Sequence, residues 1–248
     1  MTQSSPDTVF CVINADDLGI SQKVNERIFQ LMDQRLLRSA TVIMNGTAVD
    51  NAIARTPAYP HCSFGIHLNI TYGTPLTHHP DLTPILDSHG QFSEKFPHDH
   101  LTLPVQQAVF AEWSAQIERA LAMGLPISHL DSHHHVHRIP ALLSSLTRIQ
   151  KHYGIHRLRG SWTIFPEEGD NYPKNHMDSN HKTKTTQAFT AFYTFMQHFG
   201  NGHSTPSPKT WELMTHPGSP YDGDSTLLQE SWQQKLCFPV EIISFYEL

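Results

Sequence analysis

Long apolar runs are missing from this chain of 248 residues. No window approaches the roughly 18 consecutive apolar residues of a membrane-spanning helix, so no membrane partner is expected. Runs of Lys and Arg are missing too, and the formal net charge is −6. That argues against a nucleic-acid or anionic-lipid surface and leaves a neutral or weakly charged substrate. Cysteine is scarce. Cys11, Cys62 and Cys237 are odd in number and far apart, and they form neither a CxxC pair nor a disulfide framework. The opening MTQSSPDTVF lacks a basic segment followed by an apolar stretch and does not read as a secretory signal. A reducing cytoplasm is the expected home. No linker and no internal repeat is visible, so residues 1–248 read as a single domain.

Histidine is what the chain has in excess: 19, against 17 Lys plus Arg. Hydrophobic residues make up 38% and charged residues 16%, a globular composition long enough for a sizeable core. Apolar, partly β-branched runs at Val9–Ala15, Ala40–Met44, Ser63–Thr71, Ile127–His137, Leu158–Ser161, Trp211–Thr215 and Glu241–Tyr246 predict strands. Helices are predicted over Gln22–Leu37 with Ser21 as N-cap, Ala48–Arg55, Val105–Met123, from Pro140 to Tyr153, Thr185–Phe199 and from Ser225, with a loop over 162–183. Strands alternating with helices imply parallel βα units. About seven strands around one core fit a TIM-barrel-like (β/α) barrel better than two domains, and such barrels place their chemistry at the C-terminal strand ends.

The polar residues of interest all fall at those ends: Asp16 and Asp17, His67, the segment 129-HLDSHHHVH-137, Arg159 and His216. Read as a strand, 129–137 puts His129, Asp131, His133, His135 and His137 on one face. Read as a helix, it spaces His133 and His137 as a zinc-binding i, i+4 pair. Pro126 before it and Pro140 after it favour the strand, and a solvated His-rich loop is the blander reading. Imidazoles on one buried face need partners, and a metal ion supplies them. Two adjacent carboxylates are costly to hold close without a cation, which suggests one metal ligand and one general base. Acidic residues before a helix are also common, so that pair means little by itself. His67 shares its face with Gly65, which leaves space beside it, and with Asn69. One carboxylate and two imidazoles would leave positions open for water and substrate. Arg159 could orient Asp16 or bind substrate, and His216 could lie in the site or in a His-Pro turn outside it. Trp162, Phe165, Tyr172 and Tyr221 could stack on a sugar ring, although core packing is the commoner use of such aromatics.

The segments 13-INADDLG-19, 65-GIHLNIT-71, 129-HLDSHHHVH-137 and 213-LMTHPG-218 resemble those of the YdjC-like carbohydrate deacetylases, which include chitooligosaccharide and hopanoid-associated deacetylases. The resemblance runs in order from Ile13 to about Gly218. It implies a distorted (β/α) barrel and metal-dependent removal of N-acetyl groups from amino sugars. It also implies Asp17, His67 and His133 as ligands of one divalent ion, Zn²⁺ or Mg²⁺. Asp16 would be the base and His216 the acid, and the choice of His133 over His135 and His137 comes from the resemblance alone. Arg159, Asn69 and Trp162 complete the candidate list as substrate contacts. A small carbohydrate is the expected partner, and a homodimer is the ordinary expectation for such an enzyme. The rival readings are another one- or two-metal amidase or phosphoesterase on the same scaffold, and a non-catalytic metal- or sugar-binding protein.

Overall fold

The computed structural model describes residues 8–160, 183–220 and 222–248. Trp162, Phe165, Tyr172 and Tyr221 lie outside them, as does Ser161. The described chain runs β1 (Val9–Leu18), α1 (Gln22–Asp33), β2 (Ser39–Val42), α2 (Val49–Arg55), β3 (Ser63–Leu68), α3 (Leu103–Ala122), β4 (Ile127–Ser132), α4 (Leu143–Tyr153), β5 (Ala188–Ala191), α5 (Phe192–Phe199), β6 (Thr210–Thr215), α6 (Asp224–Gln229) and β7 (Val240–Ile242). The strands form one parallel sheet in the order β4-β3-β2-β1-β6-β5. β7 pairs with Val9–Cys11 at the start of β1, while β2 pairs further along at Asn14–Leu18. Beyond β4 the chain is continued by two bridges, Leu130 with Leu158 and Arg157 with Lys184. The result is the distorted (β/α) barrel.

Helices cover the outer face because each strand sends an apolar set outward. Val9, Cys11, Ile13 and Ala15 of β1 are all fully buried in the main apolar core, which also holds Ile28, Leu31, Trp113 and Trp211. Each large apolar side chain buried in this way stabilises the fold by about 1.5–3 kcal/mol. Ser21 caps α1 by accepting from Val24 N, as the sequence predicts. Among the described residues no helix is long and apolar enough to cross a membrane.

The inward face differs. At its base Val12, Ile243 and Phe245 form a small apolar plug. Above the plug the layer is polar: Ser39 Oγ donates to Asn14 Oδ1 at 2.6 Å, and Ser63 Oγ donates to Ser39 Oγ at 3.0 Å. Phe245 reaches the plug because β7 stops at Ile242. Ser244 and Glu247 then form a capping box that turns the chain inward, so the final strand is shorter than the predicted Glu241–Tyr246.

Two other elements differ from their sequence reading for identifiable reasons. The predicted helix Thr185–Phe199 begins as strand β5, because Ala188–Ala191 pair with Trp211–Met214 of β6 and Gln187 Oε1 accepts from Lys209 N and Thr210 N. Ladder pairing overrides helical periodicity here. The predicted strand Ile127–His137 ends at Ser132. A 3-10 turn over His133–Arg138 follows, with His134 (φ 50°) and His135 (φ 55°) left-handed and His137 N donating to Ser132 Oγ at 2.9 Å. His129, Asp131, His133, His135 and His137 therefore do not share one face.

The space beside Gly65 is also taken. The His129 ring fills it, stacked on Phe245 with centroids 3.7 Å apart. A Cβ at Gly65 would lie 2.7 Å from His129 Cε1 and 2.7 Å from the His129 carbonyl oxygen. Because one obstacle is backbone, Gly65→Ala should destabilise the protein by about 1–3 kcal/mol and lower the thermal midpoint by several degrees in a melting experiment. An unchanged midpoint would show that the barrel interior can give.

Candidate metal centre and active site

Strand alternation puts Asp16 on the inward face with Val12 and Asn14, and would turn Asp17 away. The chain breaks that alternation. The β1–β2 register slips between Ala15 and Leu18, and Asp17 takes a left-handed backbone (φ 67°). Such a conformation costs a non-glycine residue about 1–3 kcal/mol and persists only where the surroundings impose it. Its effect is to bring both carboxylates to one imidazole. His67 Nε2 lies 3.4 Å from Asp17 Oδ1 and 3.9 Å from Asp16 Oδ2.

His67 is fixed from behind. Its Nδ1 donates to Asp131 Oδ1 at 2.7 Å, which leaves Nε2 facing the two aspartates. Thr41 Oγ1 donates to the other Asp131 oxygen at 2.9 Å. Burial alone would push the His67 imidazole down, but Asp131, Asp16 and Asp17 outweigh it and raise it to about 9. His133, the first residue after β4, brings Nδ1 to 3.0 Å from Asp17 Oδ1. Its ring packs edge-on against His67 and against Tyr72.

Asp17, His67 and His133 thus offer three ligand atoms within 4.8 Å of one another. The set fits a divalent ion on two counts. Asp17 Oδ1 is buried, yet no hydrogen bond of ordinary geometry closes on it. The donors are one carboxylate and two imidazoles, one of which has a carboxylate behind it that fixes the ring.

Behind the centre lies a second layer of charge. Arg159 is fully buried and faces three carboxylates. Nη1 and Nη2 donate to the two oxygens of Asp16 at 2.8 and 2.6 Å, Nη2 lies 2.9 Å from Asp131 Oδ2, and Nε donates to Glu212 Oε1 at 2.7 Å. Asn14 Nδ2 also donates to Asp16 at 2.9 Å. Burial would raise the Asp16 carboxyl, but the Arg159 charge and hydrogen bonds, with His67 and His216 adding to them, hold it well below the usual carboxylate range. Asp16 is therefore ionised.

His216 follows β6 and is the most exposed member of the group, with 42% of its side chain accessible and Nε2 4.0 Å from Asp16 Oδ2. Thr215 Oγ1 donates to Asn14 O at 3.0 Å and Gly218 N donates to Asp222 Oδ2 at 2.6 Å, so the His-Pro-Gly turn is tied down on both sides.

A family model described as YdjC-like protein matches residues 11–237. The chain belongs to the YdjC-like family. Among curated relatives, a carbohydrate deacetylase of Vibrio campbellii is 39% identical over 150 residues, covering 60% of this chain and 58% of that protein. The aligned stretch thus spans less than two thirds of that relative's length. A carbohydrate deacetylase of Brevibacillus brevis is 28% identical over 247 residues, covering 96% of this chain and 92% of that one. A solved Enterococcus faecalis structure, whose name refers to cellobiose-phosphate cleavage, superposes with a TM-score of 0.67 at 19% identity over 91% of this chain and 86% of that one, a likeness of fold.

The structure brings Asp16, Asp17, His67, His133, Arg159 and His216 of this YdjC-like protein together at the C-terminal strand ends. The other candidates have different places. Asn69 is buried, its amide donating to Asn45 Oδ1 and Tyr72 O and its oxygen accepting from Thr71 N, so it builds the turn after β3. Trp162 lies outside the described residues. His129 and His137 are buried and neutral, His129 beside Phe245 and His137 on Ser132, and burial keeps both imidazoles well below their ordinary value. His135 packs its ring against Phe189. Asp131, placed by the sequence on one face with His129 but given no role, belongs to the site, as do Asn14, Thr41 and Glu212, which the sequence reading does not single out. Two had a visible signal: Asp131 shares strand parity with His129, and Glu212 interrupts the otherwise apolar or neutral strand TWELMT, where a buried acid needs a cation.

Asp131 predicts a measurable effect. Asp131→Asn should weaken Zn²⁺ or Mn²⁺ binding about 10–100-fold in equilibrium dialysis, since His67 would lose the carboxylate that fixes its ring. Unchanged affinity would show that Asp131 does not support a metal ligand through His67.

Proposed function

We propose that the protein is a metal-dependent N-deacetylase that releases acetate from an N-acetylated amino sugar or a short oligosaccharide of the chitooligosaccharide kind. The observation that carries this reading is the pair of adjacent aspartates turned to one imidazole: one faces the ligand set and the other is gripped by Arg159. The names of the relatives, carbohydrate deacetylases, support deacetylation of a carbohydrate.

A single divalent ion, Zn²⁺ or Mg²⁺, held by Asp17, His67 and His133 would polarise an amide carbonyl and acidify water. The chain's own residues supply the rest. Asp16, ionised and fixed by two hydrogen bonds from Arg159, accepts the proton of the attacking water. The water oxygen bonds to the amide carbon, and the C–N bond then breaks. His216, on the open side of the centre, gives a proton to the departing amine, so that acetate and a free amino sugar leave. Arg159 lowers the basicity of Asp16 while holding it in place. The division of labour therefore needs acidified water, which explains why base and ligand are neighbours in sequence.

A two-metal phosphoesterase is the rival on the same scaffold. Asp16, His67 and Asp131 do form a second set with ligand spacing, sharing His67 with the first. Two of its three members are already ion-paired with Arg159, at 2.6 and 2.9 Å. A fixed guanidinium thus stands where a second cation would be required, which supports one ion per chain. The free thiols Cys11, Cys62 and Cys237 suit a reducing compartment, the cytoplasm.

Acetate release from N-acetylglucosamine and its oligomers tests the proposal. Chelation should abolish it and added Zn²⁺ or Mg²⁺ restore it. Asp16→Asn should lower kcat by about 10²–10⁴-fold, the usual contribution of a general base. Turnover indifferent to both would sink the reading, and two ions per chain by elemental analysis would favour the phosphoesterase.

A further inference from the structure

Glu212 is the acid beside Arg159 that the proposed chemistry leaves unused. It sits on β6 in register with Val12 of β1 and Phe189 of β5. Its side chain is fully buried, Oε1 accepts from Arg159 Nε at 2.7 Å, and Oε2 is buried without a hydrogen-bond partner. A buried acceptor left without a partner destabilises the fold. Three carboxylates around one cation also exceed what charge balance asks for. Stability alone would be served as well or better by an apolar side chain of similar size. The placement therefore asks for a reason beyond the fold.

The geometry of the guanidinium supplies one. Arg159 lies over the Phe189 ring, 4.9 Å from its centroid, and offers a planar fork. Asp16 takes the two terminal nitrogens and Asp131 shares one of them, while Glu212 takes Nε. Glu212 alone among the three fixes the fork at its root. Without that contact the fork can turn about its stem and offer Asp16 a single nitrogen in place of two. We propose that Glu212 is a positioning residue of the reaction: it clamps Arg159 at Nε, so that both oxygens of Asp16 are held with Oδ2 towards His67 and His216. This inference rests on the deacetylase reading.

The surroundings of Glu212 make the clamp adjustable. Asp16 from β1, Asp131 from β4 and Arg159 are the charged groups that act on it, and β5 contributes the Phe189 ring. Burial pushes its carboxyl up, Arg159 pulls it back, and Asp131 and Asp16 push it further, to about 7. Below that pH Arg159 donates to a neutral acid. Above it the contact becomes a full ion pair, and holds the fork more strongly.

Acetate release from N-acetylglucosamine oligomers by wild type, Glu212→Leu and Glu212→Gln, followed from pH 5.5 to 9 with the metal supplied, tests the proposal. Glu212→Leu should lower kcat by about 100-fold with KM changed by no more than about threefold, the signature of misplaced chemistry rather than lost substrate binding. Glu212→Gln keeps an acceptor for Nε and should hold kcat within about fivefold of wild type at pH 6. It should fall behind above pH 7, with one ionisation fewer in the acid limb of the kcat profile. A purely structural Glu212 would leave that limb unmoved. Wild-type kcat in Glu212→Leu, or an acid limb in Glu212→Gln identical to wild type, overturns the proposal. Should the leucine variant fail to fold, the isosteric glutamine variant decides by itself. A wild-type protein that releases no acetate from any oligomer overturns the deacetylase reading and this inference with it, an outcome distinct from active enzyme insensitive to position 212.

Discussion

The site depends on one buried cation. Arg159 is out of water altogether, and so are Asp16, Asp131 and Glu212 around it. A guanidinium in such a place is tolerable only with its donors engaged, and the carboxylates are tolerable only with it. Each of the four comes from a different part of the chain: β1, β4, the segment after α4, and β6. The pairing therefore acts as a knot between strands that are distant in sequence, and it fixes the angular position of everything above it. Asp131 passes that order to His67, and Asp16 passes it to the open side of the centre.

Charge arrangement then explains the division between the two aspartates better than their order in sequence does. Asp16 is saturated by Arg159 and Asn14, while Asp17 Oδ1 is left beside two imidazoles. One is a held carboxylate, and the other keeps an oxygen free for the proposed ion. The left-handed turn at Asp17 makes this possible, because an extended strand would send neighbours to opposite faces. The strain is local, while the gain is a site in which two adjacent carboxylates approach the same imidazole, one held by Arg159 and one not.

The histidine segment shows what pattern alone can and cannot tell. Alternation put five residues of 129–137 on one face, and for His129 and Asp131 that holds because β4 runs to Ser132. Beyond it a 3-10 turn begins, and His133, His134, His135 and His137 go to four different surroundings: the aspartates, the outside, Phe189 and Ser132. The abundance of histidine in the sequence thus marked the region and not the number of ligands. Elsewhere the error ran the other way, as with the strand β5, whose helical periodicity yielded to pairing with β6.

By itself the sequence determined the alternation of strands and helices, hence a parallel barrel, and the presence of Asp16, Asp17, His67, the histidine segment, Arg159 and His216 at strand ends. Those follow from local periodicity and from the rule that strand ends in such a barrel converge. The motifs also carried the likeness to the YdjC-like family. Only the tertiary structure decided which atoms meet. That Asp131 and not a metal holds His67 Nδ1, that Arg159 joins three acids, and that Glu212 is among them are facts of packing across the barrel. They depend on the register of non-adjacent strands and on one left-handed residue, and neither is written in any local stretch of the chain.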